Sequence, residues 1–248
     1  MSGSLRVATA RERGAQGVLL QLGIVAIALL GNLAVRWYTV DQTETALANA
    51  HALLDLQERL HLDWEHAIQD ALDQPWLGEF FSWFYVWGYL PVVLGALVVL
   101  YLRSMERYLI LRDALLASGV AGLLVYALYP VAPPRLTALG YHDTIAASVV
   151  EGAARPVGIA NEIAAVPSFH LGWLIIVAVV VYRATSSAPV KVLCVAHPVL
   201  MGVAVLATGN HWLLDLPAGA LIAVLGLAVA DRLALRRTSA LALAEPAR

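Results

Sequence analysis

The sequence predicts an all-α polytopic membrane protein: a six-transmembrane-helix bundle with an amphipathic helical segment on its exoplasmic side. Three observations predict it. Of 248 residues, 60% are hydrophobic and only 14% charged, where soluble domains carry about 25% charged residues. Mean hydropathy is +0.73, which belongs to the membrane class. Six apolar runs punctuate the chain, at 18–35, 80–102, 114–129, 169–182, 190–207 and 213–230. A helix needs about 20 residues to cross a hydrocarbon core about 30 Å thick. The first, second, fifth and sixth runs suffice, while the third and fourth need their polar flanks to complete the span.

Arg6, Arg11 and Arg13 precede the first run, as in a secretion signal. A signal's apolar core is about 7–15 residues with a small-residue cleavage site close behind. Here the run is 18 residues long, and Ala48-Asn49-Ala50 lies well beyond it, so the reading is a retained transmembrane helix. Segment 36–79 follows, with acids at 41, 44, 55, 58, 63, 65, 70, 73 and 79. Its apolar positions Leu47, Ala50, Leu53, Leu54, Leu60, Trp64, Ala67, Ile68 and Ala71 fall near helical spacing. One or two amphipathic helices are expected over about 41–79, lying against the outer membrane surface or over the bundle with a solvated acidic face.

Basic residues set the orientation. With the N-terminus in the cytoplasm, that side receives Arg6, Arg11, Arg13, Arg103, Arg107, Arg112, Arg183, Lys191, Arg232, Arg236, Arg237 and Arg248, against Arg36, Arg59, Arg135 and Arg155 opposite. Both termini are then cytoplasmic, in the plasma membrane. The organisation expected is a cytoplasmic segment 1–17, one membrane catalytic domain 18–232 and a loosely ordered cytoplasmic tail 233–248. A net charge of -2 gives no reason to expect a nucleic-acid partner, and Cys194 alone builds neither a disulfide framework nor a Cys metal site. The preference for Arg over Lys, with the Ala/Leu/Val bias, matches a GC-rich bacterial genome.

This topology, drawn from charge alone, gathers three polar motifs on the exoplasmic face. They are Tyr129-Pro130-Val131-Ala132-Pro133-Pro134-Arg135, Ala165-Val166-Pro167-Ser168-Phe169-His170 and Thr208-Gly209-Asn210-His211-Trp212-Leu213-Leu214-Asp215. Ionisable groups at membrane depth are costly and read as functional. His211 and Asp215, four residues apart, would share a helix face, so the carboxylate can accept Nδ1–H and leave Nε2 free as a nucleophile. Ser168 reads as an N-cap beside His170, at a helix start suited to anions. Paired with His211, His170 gains the role of general acid. Arg135 suits bidentate contact with phosphate oxygens, with Arg155 and Asn210 as further phosphate contacts. His197, before Pro198, reads as an interhelical contact or kink residue. No compact metal-ligand spacing such as HExxH appears, and no metal is expected.

Pro167-Ser168-Phe169-His170 followed by His211-x3-Asp215 resembles the type-2 phosphatidic acid phosphatase superfamily, a six-helix membrane fold. The spelling around it, with Thr208-Gly209-Asn210-His211 and Pro133-Pro134-Arg135, looks most like the inositol phosphorylceramide synthase branch. Glu58-Arg59-Leu60-His61-Leu62-Asp63-Trp64-Glu65 is also similar to a segment of that branch, and the resemblance extends over roughly 45–232. It implies a phosphohistidine on His211, oriented by Asp215. His170 would act as acid and then base, with Arg135, Ser168 and backbone N–H groups on the equatorial oxygens. It implies no cofactor, and a lipid phosphate or phospholipid as the substrate. Two departures stand out. The phosphatase pattern opens with a Lys and an Arg six residues apart, absent here, and carries a Ser-Arg pair where this chain has Ala204 and Val205. Fewer cations suit a phosphodiester head group and transfer rather than hydrolysis. The expected function is a lipid phosphatase or phosphotransferase at the exoplasmic face. The alternatives are a phospho-head-group transferase and a non-catalytic membrane protein or transporter on the same fold.

Overall fold

The computed structural model describes residues 14–154 and 161–243. Named in chain order, the helices are α1 (Ala15–Thr39), α2 (Thr43–Arg59), α3 (Glu65–Ala71), α4 (Pro75–Trp87), α5 (Leu90–Arg103), α6 (Met105–Leu128), the short α7 (Glu151–Ala154), α8 (Phe169–Ala184), α9 (Ala188–Ala207) and α10 (Asp215–Leu243). Five stretches are long and apolar enough to cross a membrane: α1, α4 continued by α5, α6, α9 and α10. The sixth expected crossing, α8, is apolar but only 16 residues long.

The third span is longer than its apolar run. Ser104 accepts a hydrogen bond from the Arg107 amide at 3.4 Å and starts α6 well before Ala114. The charges inside this first half neutralise one another. Arg112 meets Asp113 at 2.7 Å, and Asp113 meets Arg237 of α10 at 2.5 Å. Gln21 of α1 accepts from the Tyr108 hydroxyl at 2.9 Å and from Arg112 at 3.0 Å. This knot joins α1, α6 and α10 at one end of the bundle. It also corrects the reading of the tail: the residues after Ala230 continue α10 as far as Leu243 instead of fraying, with Arg237 anchored on Asp113. Residues 244–248 lie outside the described residues.

The second span is broken. Pro91 supplies no N–H and its ring clashes with the carbonyl four residues back, so α4 ends at Trp87 and α5 begins at Leu90. The Gly88 carbonyl freed by the break accepts a 2.7 Å hydrogen bond from His197 Nε2 on α9. His197 is thus an interhelical polar contact, as its place before Pro198 suggests.

Two elements of the 41–79 segment, α2 and α3, lie over the end of the bundle opposite the charged knot. Ala46 and Ala50 are fully buried and pack with Val131, Ala132 and Trp212 in a small second core. Most acids of the segment face solvent, but Glu65 does not: it is 1% exposed. The expectation of an entirely solvated acidic face fails at this residue, because its carboxylate takes hydrogen bonds from inside the protein.

Beneath this cap, α8 and α10 touch backbone to backbone. A Cβ on Gly172 would stand 2.6 Å from the Gly219 carbonyl oxygen, and one on Gly219 would strike the Ser168 carbonyl oxygen. Small residues at such crossings are how apolar helices approach closely. Gly219→Ala is therefore expected to destabilise the fold by about 1–3 kcal/mol through overpacking. Thermal unfolding of the solubilised protein measures this, with Gly95→Ala as control, since a methyl there meets nothing within 4 Å.

Candidate active site

Where α6, α8 and α10 end or begin on the capped side, their connecting segments leave helical geometry and expose backbone polar groups. Those groups bond to one another. Val131 N–H donates to the Ile163 carbonyl at 3.2 Å and Ala165 N–H to the Val131 carbonyl at 3.0 Å. Arg135 N–H donates to the Gly209 carbonyl at 3.0 Å, and Ser168 N–H to the Asp215 carbonyl at 3.1 Å. Trp212 Nε1 donates to the Ala132 carbonyl at 2.8 Å. The three polar motifs are thereby fastened into one assembly, over the chain distances that separate them in sequence.

His211 sits in the turn between α9 and α10, not on a helix. Gly209 adopts φ +67°, a conformation favourable only to glycine, and the amides of Asn210 and His211 both donate to the Val205 carbonyl at 3.2 Å. The helix begins at Asp215. The shared helix face expected for His211 and Asp215 is thus replaced by a different geometry with the same contact. Asp215 Oδ2 folds back to accept from Trp212 N–H at 2.7 Å and lies 3.1 Å from His211 Nδ1. The Ala165 carbonyl lies 2.9 Å from the same Nδ1. Both neighbours are acceptors, so Nδ1 carries the proton and Nε2 keeps its lone pair. Ser168 Oγ, 3.4 Å from Nε2, is its nearest described polar contact.

His170 stands across from His211, with ring centroids 5.7 Å apart. Its ring lies between Tyr85 and Tyr89, at 4.1 and 4.2 Å. Ser168 caps α8 as expected, accepting from Leu171 N–H at 3.4 Å. Arg135 Nε donates to Asn210 Oδ1 at 2.9 Å, and its Nη1 lies 3.8 Å from Asp143 Oδ2. Asn210 in turn donates to the Thr208 carbonyl at 3.0 Å. Its amide therefore holds the guanidinium, in a contact the sequence did not suggest. Arg155, the remaining expected phosphate contact, lies outside the described residues.

Arg135, His170, Asn210 and His211 line one cavity of about 280 Å³. Tyr85, Tyr89 and Tyr126 form much of the wall, with Asn32, Asn161 and Glu162 adding polar atoms. Three of these were findable. Tyr85 and Tyr89 are spaced i, i+4 beside Gly88, and Asn32 interrupts an apolar helix. The signal for Glu162 is absent, since nothing in its neighbours marks a cavity. Toward the cap, Tyr141 stacks on His66 with centroids 3.9 Å apart and meets Trp212 edge-on at 5.4 Å. Burial first, then the carboxylates of Glu65, Asp63 and Glu58, push its phenol up to about 12. Among the described residues, no three His, Cys, Asp or Glu side chains gather as a metal cluster.

The chain belongs to the PAP2 superfamily, whose family model matches residues 51–229, close to the range over which the motif resemblance extends. Among solved structures, the crystal structure of LpxE from Aquifex aeolicus is similar in fold. It has a TM-score of 0.57 at 19% identity, covering 69% of this chain and 94% of that one. No curated protein matches.

Proposed function

We propose that this PAP2-superfamily chain is a membrane lipid phosphatase or phosphotransferase that works through a phosphohistidine on His211. The observation that carries the reading is the environment of His211: Nδ1 is committed to two acceptors, Ala165 O and Asp215 Oδ2, while Nε2 stands beside the cavity and opposite His170. A nucleophilic imidazole needs that tautomer and an orienting acid.

In the first step His211 Nε2 attacks phosphorus, the P–O bond to the leaving group breaks, and the protonated His170 gives its proton to the departing oxygen. Asp215 stabilises the positive charge left on the His211 ring. In the second step His170 takes a proton from water or an acceptor hydroxyl, whose oxygen attacks phosphorus as the P–N bond breaks. Arg135, held by Asn210, and Ser168 Oγ hold equatorial oxygens. Electrostatic stabilisation of these oxygens is the main protein contribution to phosphoryl transfer. The excess of basic residues on the opposite loops supports an exoplasmic location for the site and cytoplasmic termini.

The acceptor decides between hydrolysis and transfer. Arg135 is the one Arg or Lys among the described residues lining the cavity, and a carboxylate, Glu162, lines it as well. A dianionic terminal phosphate gains little from that balance, whereas a phosphodiester monoanion is easier to hold. This favours the second reading, a phospho-head-group transferase of the inositol phosphorylceramide synthase kind, with Glu162 available to accept from an acceptor hydroxyl.

His211→Ala is expected to abolish turnover and the acid-labile phosphoprotein trapped from labelled lipid phosphate. If function survives and no phosphohistidine can be trapped, the fold serves a non-catalytic role instead. His170→Ala should slow a lipid substrate by about 10²–10⁴-fold, the worth of a general acid. An aryl phosphate, whose leaving group needs no proton, should be slowed far less. Product analysis with and without acceptor lipid separates the two acceptors, and inorganic phosphate as the sole product in both cases excludes transfer.

A further inference from the structure

The cap formed by α2 and α3 reaches into the turn that carries His211. Glu65 Oε1 accepts from Leu213 N–H at 2.6 Å and from Gln57 Nε2 at 2.6 Å. Gln57 Oε1 accepts from Leu214 N–H at 2.9 Å. Together with Asp215, which accepts from Trp212 N–H, these side chains satisfy the amides of three successive residues at the start of α10. Gln69 grips the other side of the turn, donating to the Ala207 carbonyl at 3.2 Å. The free amides at a helix start carry partial positive charge, and here a carboxylate from a distant segment takes that place.

The arrangement is costly for a residue that only decorates a surface. Glu65 and Gln57 are 1% and 0% exposed, and Glu65 Oε2 is buried without a hydrogen-bond partner among the described residues. Removing a carboxylate from water costs several kcal/mol unless its bonds and charge are compensated. Here the compensation comes from the amides next to the His211–Asp215 pair, and the bonds run between residues 148 and 157 positions apart in sequence. Leu213 and Leu214 lie between His211 and Asp215, so any displacement of their amides displaces the contact on which the Nδ1–H tautomer depends.

We infer that Glu65, braced by Gln57, is a positioning residue for the nucleophile: it holds the 211–215 turn in register so that Asp215 can orient His211. The inference rests on the reading of His211 as nucleophile. The α2–α3 segment is, on this view, part of the catalytic machinery through the backbone it fastens, and its buried carboxylate touches no substrate. The bonds themselves call for an acceptor at position 65 more than for a charge. A glutamine there still offers one oxygen to Leu213 N–H and Gln57 Nε2, whereas an alanine leaves both donors orphaned.

The test uses the purified full chain with two readouts: steady-state kinetics on a lipid phosphate, and the rate of diethyl pyrocarbonate modification of His211 followed by peptide mass spectrometry. Misplacement of a reacting group by about 1 Å costs on the order of 100-fold. Glu65→Ala is accordingly expected to lower kcat by about 10- to 100-fold with KM nearly unchanged, the signature of a loss felt only in the transition state. It should also change the His211 modification rate several-fold. Glu65→Gln should recover most of both. A folded Glu65→Ala protein, with wild-type helical circular dichroism, wild-type kcat and an unaltered His211 modification rate, overturns the inference. So does equal loss of kcat in Glu65→Ala and Glu65→Gln. If Glu65→Ala does not fold, Gln57→Ala, which removes the Leu214 acceptor, decides by the same two readouts. If the wild-type protein turns over no lipid phosphate, the functional reading fails, while the modification rate still decides the positioning role.

Discussion

Non-helical backbone at the end of an apolar bundle must find its hydrogen bonds inside the protein, and the rest of this structure is organised by that requirement. Three segments leave helical geometry on the same side, each exposing amides and carbonyls that lipid cannot satisfy. They answer one another: Val131 with the 163–165 stretch, Arg135 with Gly209, Ser168 with Asp215. The bonds that solve this solvation problem are the same ones that bring His170, His211 and Arg135 to a common cavity. Assembly of the site and stability of the membrane-proximal loops are therefore one problem with one solution. An unsatisfied buried backbone group costs on the order of 1–3 kcal/mol, so the loops have little freedom to drift apart.

Departures from regular helix do most of the positioning. Pro91 breaks the second span, and the carbonyl it frees is taken by His197. Tyr85, just before the break, and Tyr89, within it, pack against the His170 ring. Gly209 turns the chain tightly after α9, which places His211 outside the helix and lets Asp215, at the helix start, reach back to it. In each case a residue that a regular helix tolerates poorly creates an orphaned backbone group. A nearby side chain then satisfies it and is fixed in the process.

Much of this was legible in the sequence. The paired motifs around His170 and His211 and the Pro-Pro-Arg turn could be assigned to one face from the distribution of arginines, and Ser168 as an N-cap follows from its place before an apolar run. The charged first half of α6 was legible only as a polar flank needed to complete the span, because Arg112 and Asp113 lie outside the apolar run. Only the tertiary partner Arg237 shows that their charges are matched. The same blindness hid Glu65. An acid among nine acids in an amphipathic segment carries no local mark of burial, since its partner in the turn is the Leu213 amide, a group that sequence does not distinguish. The bond from Arg135 to Asn210 was hidden for a related reason: pattern says a polar side chain is near the site, not which neighbour it will orient.

The contact of α8 with α10 through Gly172 and Gly219 fixes the backbone that stands behind His170 and His211. On the Ser168 side, main chain lies against main chain, and no larger residue at 172 or 219 enters without pushing the backbone of Gly219 or Ser168. Elsewhere in the cavity lining stand Asn32 of α1, a helix mostly open to its surroundings, and the 161–164 stretch. Sequence change that alters which molecule fits can accumulate in that lining while the glycine contact stays frozen. The fold thus separates the part of the site that evolution or a protein engineer can vary from the part that must stay constant, and it does so with two missing methyl groups.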